Sequence, residues 1–311
     1  MATEYIDTYY KRTLGDAQTY YAPLAGAADA DICVVGGGLA GLSTALELAR
    51  RGRSVTLLEG RRIAWGASGR NGGSVSPAFS AGADAIRKHV DEDHYRQLYR
   101  LSMEGVEIIR DNIRALHITD AHKVDGRLRV VRYEATDALR RYCDDQWRDF
   151  GRDVRLLSRA DVRERLVSDA YFQGIEDLAS FHFHPLNYAR ALARECVRLG
   201  VTIHEDSPVT QARLDGPVKQ LQTAAGQVNA RTVVLATGGY TGDAVPALRR
   251  AMLPIATYIM LTEPLGDRVH EAIRTPAAIG DDRRAGNYYR VLDGGRIGWG
   301  SRITTLSLIH I

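Results

Sequence analysis

Cysteine is scarce in this sequence of 311 residues: the three present, Cys33, Cys143 and Cys196, lie far apart and form no Cys-x-x-Cys pair. That spacing argues against a disulfide framework and against a thiolate metal site, and no metal is expected. Cys33 sits inside an apolar stretch and reads as a small core residue. Lysine is scarcer relative to its usual abundance, since all but four of the 41 basic residues are arginine. The arginines are scattered, in pairs such as Arg50-Arg51, Arg61-Arg62 and Arg249-Arg250, and the net charge is only +3. No basic stripe with interleaved aromatics is present, so nucleic acid is not expected as a partner. No apolar run is long enough to cross a bilayer, so no transmembrane segment is expected. The first ten residues carry Glu4 and Asp7 and no apolar core, unlike a secretory signal, and the location is read as cytoplasmic. There is no Ser-His-Asp order, no Gly-x-Ser-x-Gly elbow and no Walker loop.

What remains is an ordinary globular composition, 45% hydrophobic and 25% charged, on a chain long enough for two domains. Its most informative feature is glycine at set positions. Residues 31–35 form a short apolar run that ends in three glycines and reads as a buried strand. Residues 39–51 follow with helical apolar spacing, and Gly52 stops them. Residues 54–58 form a second strand with Glu59 at its tip. Strand, helix and strand within thirty residues imply a parallel pair with a right-handed crossover.

The turn between the first strand and the helix is Gly36-x-Gly38-x-x-Gly41. Its first glycine permits the tight turn, its second lets backbone approach a pyrophosphate, and its third lets the helix lie close to the sheet. The helix start, including Leu39 and Ala40, offers N–H groups and a positive dipole end to phosphates. Glu59 can accept hydrogen bonds from ribose hydroxyls and would repel a 2′-phosphate. This arrangement predicts a dinucleotide but does not separate FAD from NAD.

Further along, helical patterns cover 95–116 and 136–150, and Ser158-x-x-Asp161 reads as a capping box. A strand is expected over 126–133. His182 and His184 alternate with Phe181 and Phe183, which places the two imidazoles on one face. No third metal ligand lies close in sequence, and His184-Pro185 reads as the start of a helix. Asp215-Gly216 joins two strands as a hairpin, residues 232–237 form another buried strand, and 255–262 and 296–300 read as strands of a second sheet.

The segment Arg61-Arg62-Ile63-Ala64-Trp65-Gly66-Ala67-Ser68-Gly69-Arg70-Asn71-Gly72-Gly73 resembles the second flavin-contact loop of the D-amino-acid oxidase/glycine oxidase superfamily, closest to its gamma-glutamylputrescine oxidase branch. Tyr9-Tyr10, Tyr21-Ala22-Pro23-Leu24, His184-Pro185-Leu186-Asn187, Tyr240-x-Gly242 and Tyr288-Tyr289-Arg290 extend the resemblance over nearly the whole chain. It implies FAD as the cofactor. It also implies an α/β (α+β overall) fold, a Rossmann-like FAD-binding domain with an antiparallel-sheet, glycine-oxidase-like substrate domain, discontinuous in sequence.

The implied cofactor residues are Gly36, Gly38, Leu39, Ala40, Gly41, Glu59, Gly60, Arg61, Arg62, Gly66, Ala67, Ser68, Gly69, Arg70, Asn71, Gly72 and Gly73, with Val209 beside the adenine and Ala236, Thr237 and Gly238 in a second glycine turn. Arg290 is the expected carboxylate binder. Tyr288 and Tyr258 are expected to shape the substrate pocket. The implied activity is FAD-dependent oxidation of an amine by hydride transfer from the carbon beside nitrogen, with oxygen or another acceptor taking the electrons. The substrate is expected to be gamma-glutamylputrescine-like; a D-amino acid, glycine or sarcosine is the alternative.

The domain boundaries expected are an N-terminal arm over 1–30, a cofactor domain over 31–80 and 187–250, and a substrate domain over 81–186 and 251–305. Members of this superfamily run well past Arg302, so the chain is expected to be C-terminally truncated, with 306–311 a non-native tail. A catalytically dead fragment is the alternative to an active enzyme.

Overall fold

The computed structural model describes residues 4–15, 19–283 and 286–304. The expected tail, 306–311, lies outside the described residues. In chain order the first elements are α1 (Tyr9–Arg12), β1 (Gly26–Val35), α2 (Leu39–Arg50), β2 (Val55–Leu58), β3 (Ser74–Val75), α3 (Ala83–Arg87) and α4 (Glu92–Ala115). Then come β4 (Val124–Val131), α5 (Thr136–Phe150), β5 (Val154–Leu157), α6 (Arg159–Arg165), β6 (Gln173–His182), α7 (Pro185–Arg198), β7 (Thr202–His204), β8 (Gln211–Arg213) and β9 (Lys219–Gln222). The last are β10 (Gly226–Leu235), α8 (Pro246–Ala251), β11 (Ala256–Leu261), β12 (Ala278–Asp281), β13 (Tyr288–Leu292) and β14 (Arg296–Thr304).

These elements form two compact units, one from the residues up to 71 and 184–256, the other from 72–183 and 257–304. The changeovers differ from those expected at 80, 186 and 250. The short strand β3 pairs antiparallel with β6, which puts residues just after 71 in the second unit. The expected arm ends early too, because residues 26–30 already belong to β1.

The first unit is built on a six-stranded sheet in the order β7-β2-β1-β10-β9-β8. β7, β2, β1 and β10 run parallel, and β9 and β8 are added antiparallel. Leu24, Cys33, Val35, Leu58, Leu221, Val228 and Ala230 form one apolar cluster of this unit. Helix α2 packs against α7, which is buried along most of its length. His184 caps α7 by accepting the Asn187 N–H at Nδ1 (3.1 Å), and its Nε2 lies 3.0 Å from the Thr13 hydroxyl. It is a helix cap and lies outside β6, so the expectation that it shares a strand face with His182 does not hold.

The second unit has an eight-stranded sheet whose path runs β11-β14-β13-β12-β4-β6-β3, with β5 also on β6. The pairs β3–β6, β4–β6, β5–β6, β12–β13 and β13–β14 are antiparallel, while β12 lies parallel to β4, a pairing outside the expected antiparallel pattern. The two faces separate by the period of two. Leu128, Val130, Ile279 and Tyr289, with Val291, Ile297 and Trp299, pack into one core. Tyr289 and Trp299 stack there with ring planes 2° apart and centroids at 4.2 Å. The intervening residues therefore share the other face: Arg127 on β4, Ala278 and Gly280 on β12, Tyr288 and Arg290 on β13, Gly298 and Gly300 on β14.

Candidate active site

In the first unit, β1 delivers the chain to the glycine turn and α2 leaves it. Gly36 has φ +109°, a conformation that side chains resist, and a Cβ there would come within 2.6 Å of the Ala236 carbonyl oxygen on the neighbouring segment. At Gly41 a Cβ would sit 1.9 Å from the Gly36 carbonyl oxygen, so the helix could not start where it does. The intervening Gly37 is also close-packed, since its Cβ would lie 2.7 Å from Ile63 Cδ1, although that side-chain end can move where backbone cannot. Sequence reasoning treated that position as open.

Glu59 sits at the tip of β2. Its Oε2 accepts the Gly37 N–H at 2.7 Å and its Oε1 accepts the Arg61 N–H at 2.8 Å. Burial pushes its carboxyl above the ordinary carboxylate range, and the two backbone N–H groups pull the other way. Each oxygen retains a lone pair for a ribose hydroxyl. Ser68 Oγ accepts the Leu39 N–H at 3.0 Å, tying the second loop to the start of α2.

A cavity of about 410 Å³ opens over this turn. Gly36, Gly38, Glu59, Gly60 and Arg61 line it, as do Gly66, Ala67 and Ser68 of the second loop. Val209, Ala236, Thr237 and Gly238 complete the expected set that the structure brings together. Trp65, Pro208 and Tyr240 also line it and were not assigned there from sequence. The aromatic pair Trp65 and Tyr240 stands edge-on at 5.9 Å, with the Arg61 guanidinium 4.1 Å over the Trp65 ring. Tyr240 belongs to the motif Tyr240-x-Gly242, in which nothing local shows that the ring meets Trp65.

The remaining expected residues do not line the cavity. Arg62 is buried in an ion pair with Glu205 (2.9 Å) and also donates to the Thr19 carbonyl, with the rings of Tyr5 and Tyr20 about its guanidinium. Its charge is compensated there rather than offered to a cofactor. Arg70 donates to the Tyr240 hydroxyl at 3.1 Å and lies 5.0 Å from the Trp65 ring, behind the cavity wall. Asn71 donates from Nδ2 to the carbonyls of Ala67 and Ser68 and closes that short turn. Gly69 lies against the Ala64 carbonyl, and Leu39, Ala40 and Gly41 belong to α2 behind the turn.

Gly72 and Gly73 open the second unit and make room for the substrate candidates. A Cβ on Gly72 would lie 2.9 Å from the Tyr288 ring, and one on Gly73 would lie 2.9 Å from Arg290 Nη2. Tyr288 also lies across Gly300, where a Cβ would come within 2.0 Å of its ring. Arg290 is buried and donates from Nη1 to His182 Nδ1 at 2.6 Å. The other imidazole nitrogen, Nε2, lies 2.9 Å from the Pro276 carbonyl, which only accepts. His182 is therefore neutral with its proton on Nε2. Burial and the neighbouring guanidinium push its pKa down to about 4. Sequence reasoning weighed His182 only as a metal ligand, and among the described residues no cluster of metal-ligating side chains occurs. Tyr258 is set apart from this group: it is 40% exposed on β11, with β14 between its strand and β13.

The glycine turn, the acid at the second strand tip and the cavity above them fit a dinucleotide with an unphosphorylated ribose. The profile of the DAO family, described as FAD dependent oxidoreductase, matches residues 31–305. The chain belongs to this family. It is 34% identical over 305 residues to the Haemophilus influenzae protein named Probable oxidoreductase OrdL, covering 96% of this chain and 70% of that one. It is 35% identical over 308 residues to the gamma-glutamylputrescine oxidoreductase of Escherichia coli, covering 97% and 71%. Among solved structures, glycine oxidase from Bacillus cereus shares the fold at a TM-score of 0.67 with 22% identity, over 88% of this chain and 71% of that one. The chain is thus an oxidoreductase of an FAD-dependent family, as the loop resemblance implied. Among the described residues no helix is long and apolar enough to cross a membrane.

Proposed function

We propose that this enzyme oxidises a carboxylate-bearing amine of the gamma-glutamylputrescine type to the imine, which water hydrolyses to an aldehyde and an amine or ammonia. The observation that carries this reading is Arg290: a buried guanidinium held by a neutral histidine, in a chain 35% identical to a gamma-glutamylputrescine oxidoreductase. A planar fork in that setting is suited to binding a carboxylate through two parallel hydrogen bonds.

Bound FAD supplies a two-electron acceptor for the hydride that leaves the carbon beside the amine nitrogen. The protein's tasks are binding, orientation and exclusion of water. Glu59 would hold the ribose hydroxyls, the glycine turn ahead of α2 would take the pyrophosphate, and the backbone at Val209 would border the adenine. The loop residues Gly66, Ala67 and Ser68, which line the same cavity, would border the remaining cofactor surface. Arg290 fixes the substrate carboxylate, and the Tyr288 ring walls the space beside it. No side chain is required as an obligate base, because a neutral amine carries its own lone pair. Oxygen or another acceptor then takes the electrons.

The test is anaerobic bleaching of the flavin absorbance. Gamma-glutamylputrescine is expected to bleach it and D-alanine to leave it unchanged. Bleaching by D-alanine, glycine or sarcosine alone would replace the proposed substrate with an amino acid. A purified chain that rejects added FAD would overturn the proposal.

A further inference from the structure

Arg127 lies on the same face of the second unit's sheet as Arg290. It is the lateral neighbour of Ala278 on β12, and one step along the β12–β13 register Ala278 lies beside Arg290. The two arginines are therefore row-mates two strands apart, roughly 10 Å between backbones, within reach of two arginine side chains. Between them the floor is small, Ala278 and Gly280, and the Arg127 guanidinium lies over Gly280, where a Cβ would be 3.7 Å from Nη2.

The charge around Arg127 is not balanced. Its half-buried guanidinium has five N–H donors, and among the described residues its one hydrogen bond runs to Ser76 Oγ at 2.5 Å. The nearest carboxylate on the row, Asp177, is already taken by Arg152, by the Ser180 hydroxyl at 2.5 Å and by the Ala179 N–H at 3.1 Å. Asp125 is exposed and is paired with Lys123 and Arg110. Burial draws the Arg127 pKa downward, with nearby Arg129 acting the same way and Tyr142, Asp177 and Tyr99 opposing it. Such a cation is costly unless an anion arrives.

We propose that Arg127 and Arg290 form a two-point anion-binding trough over Ala278 and Gly280, with Arg127 the second anchor for the substrate's carboxylate end. This rests on the reading of Arg290 as the first anchor. Arg127 is then a specificity-determining residue: it selects amines with an anionic tail over amines of the same length without one.

The experiment compares gamma-glutamylputrescine with N-(4-aminobutyryl)putrescine, which lacks only the carboxylate. Arg127→Gln is expected to raise KM for the first about tenfold with kcat within about twofold, and to leave KM for the second unchanged. Arg290→Gln is run beside it. If Arg290→Gln discriminates between the two substrates and Arg127→Gln does not, the trough is overturned while the Arg290 reading stands. If Arg290→Gln does not discriminate, both fall. Equal loss on both substrates in Arg127→Gln would mean a structural role and would also overturn the trough. Calorimetric binding of gamma-glutamylbutylamine, which lacks the distal amine, gives a readout apart from turnover, and about tenfold weaker binding is expected for Arg127→Gln. Should that variant fail to fold, Arg127→Lys replaces it. It keeps the charge but not the fork, and is expected to show a smaller rise confined to the carboxylate substrate; no rise, or an equal one on both substrates, overturns the trough.

Discussion

Arg290 and His182 are joined by a hydrogen bond of 2.6 Å whose direction is set by a third group, the carbonyl of Pro276 on the far side of the imidazole. Because the carbonyl requires the proton on Nε2, Nδ1 is an acceptor and holds one end of the guanidinium. His182→Ala removes that acceptor and leaves Arg290 to find its own geometry. KM for a carboxylate-bearing amine is expected to rise about tenfold, with the carboxylate-free amine unaffected. His182→Gln, which can accept through its carbonyl, is expected to recover part of the loss. Steady-state kinetics on the two substrates checks both.

The same histidine makes stability depend on pH. Its pKa falls from an ordinary 6.5 to about 4 in the folded chain, so between those values the unfolded chain binds more protons. Stability is expected to be fully present above pH 6.5 and to decline as pH falls toward 4, by on the order of 3 kcal/mol from this group. Denaturant unfolding at several pH values, compared with His182→Gln, isolates the contribution; identical pH slopes would refute it.

Glu59 serves the glycine turn before it serves any ligand, through the Gly37 and Arg61 N–H groups. Glu59→Gln keeps an acceptor and is expected to weaken FAD binding about tenfold. Glu59→Lys removes both acceptors, and a loss of roughly a hundredfold or more is expected. Titration of the apo-protein followed by flavin fluorescence measures each, and unchanged affinity in Glu59→Lys would remove Glu59 from the cofactor site.

Arg62 and Glu205 are both buried, and Glu205 also accepts the Ile63 N–H at 2.6 Å and the Tyr21 N–H at 3.1 Å. Removing one partner strands the other charge. Arg62→Ala or Glu205→Ala is expected to cost about 3–5 kcal/mol in equilibrium unfolding, well beyond a surface ion pair such as Arg51 with Glu47.

Two glycine-to-alanine changes should move stability in opposite directions. Gly41→Ala places a methyl 1.9 Å from a backbone oxygen and is expected to abolish FAD binding and lower the melting temperature. Gly105 lies inside α4 with nothing within 4 Å of a new Cβ, and Gly105→Ala is expected to stabilise by about 0.5–1 kcal/mol. Thermal melts decide both.

Much of the cofactor turn was legible because it is local. The spacing of Gly36, Gly38 and Gly41, the acid at Glu59 and the capping box of Ser158 with Asp161 each occupy a short stretch whose chemistry closes on itself. The helix over Thr136–Phe150 also matches its apolar pattern end to end. What stayed hidden was the distant partner. Arg62 looked available for a cofactor because Glu205 lies 143 residues away. His182 carried no role beyond a rejected metal reading, because Arg290, 108 residues on, is not visible from its own neighbourhood. The parallel pairing of β12 with β4 was missed for the same reason, since the period of two reveals faces and not neighbours.

One pairing carries a consequence for how the chain is made. β1 ends in the cofactor turn, and along its length it pairs with β10, from Gly26 with Gly226 to Val35 with Leu235. Each contact spans 200 residues, and the residues of the second unit from 72 to 183 are synthesised in between. On a ribosome adding roughly 5–20 residues per second, β1 stands without its central neighbour for about ten seconds or longer. During that interval an apolar strand edge is open to wrong pairing, so the glycine turn, though written early, gains its neighbour only once residues 226–235 have been made.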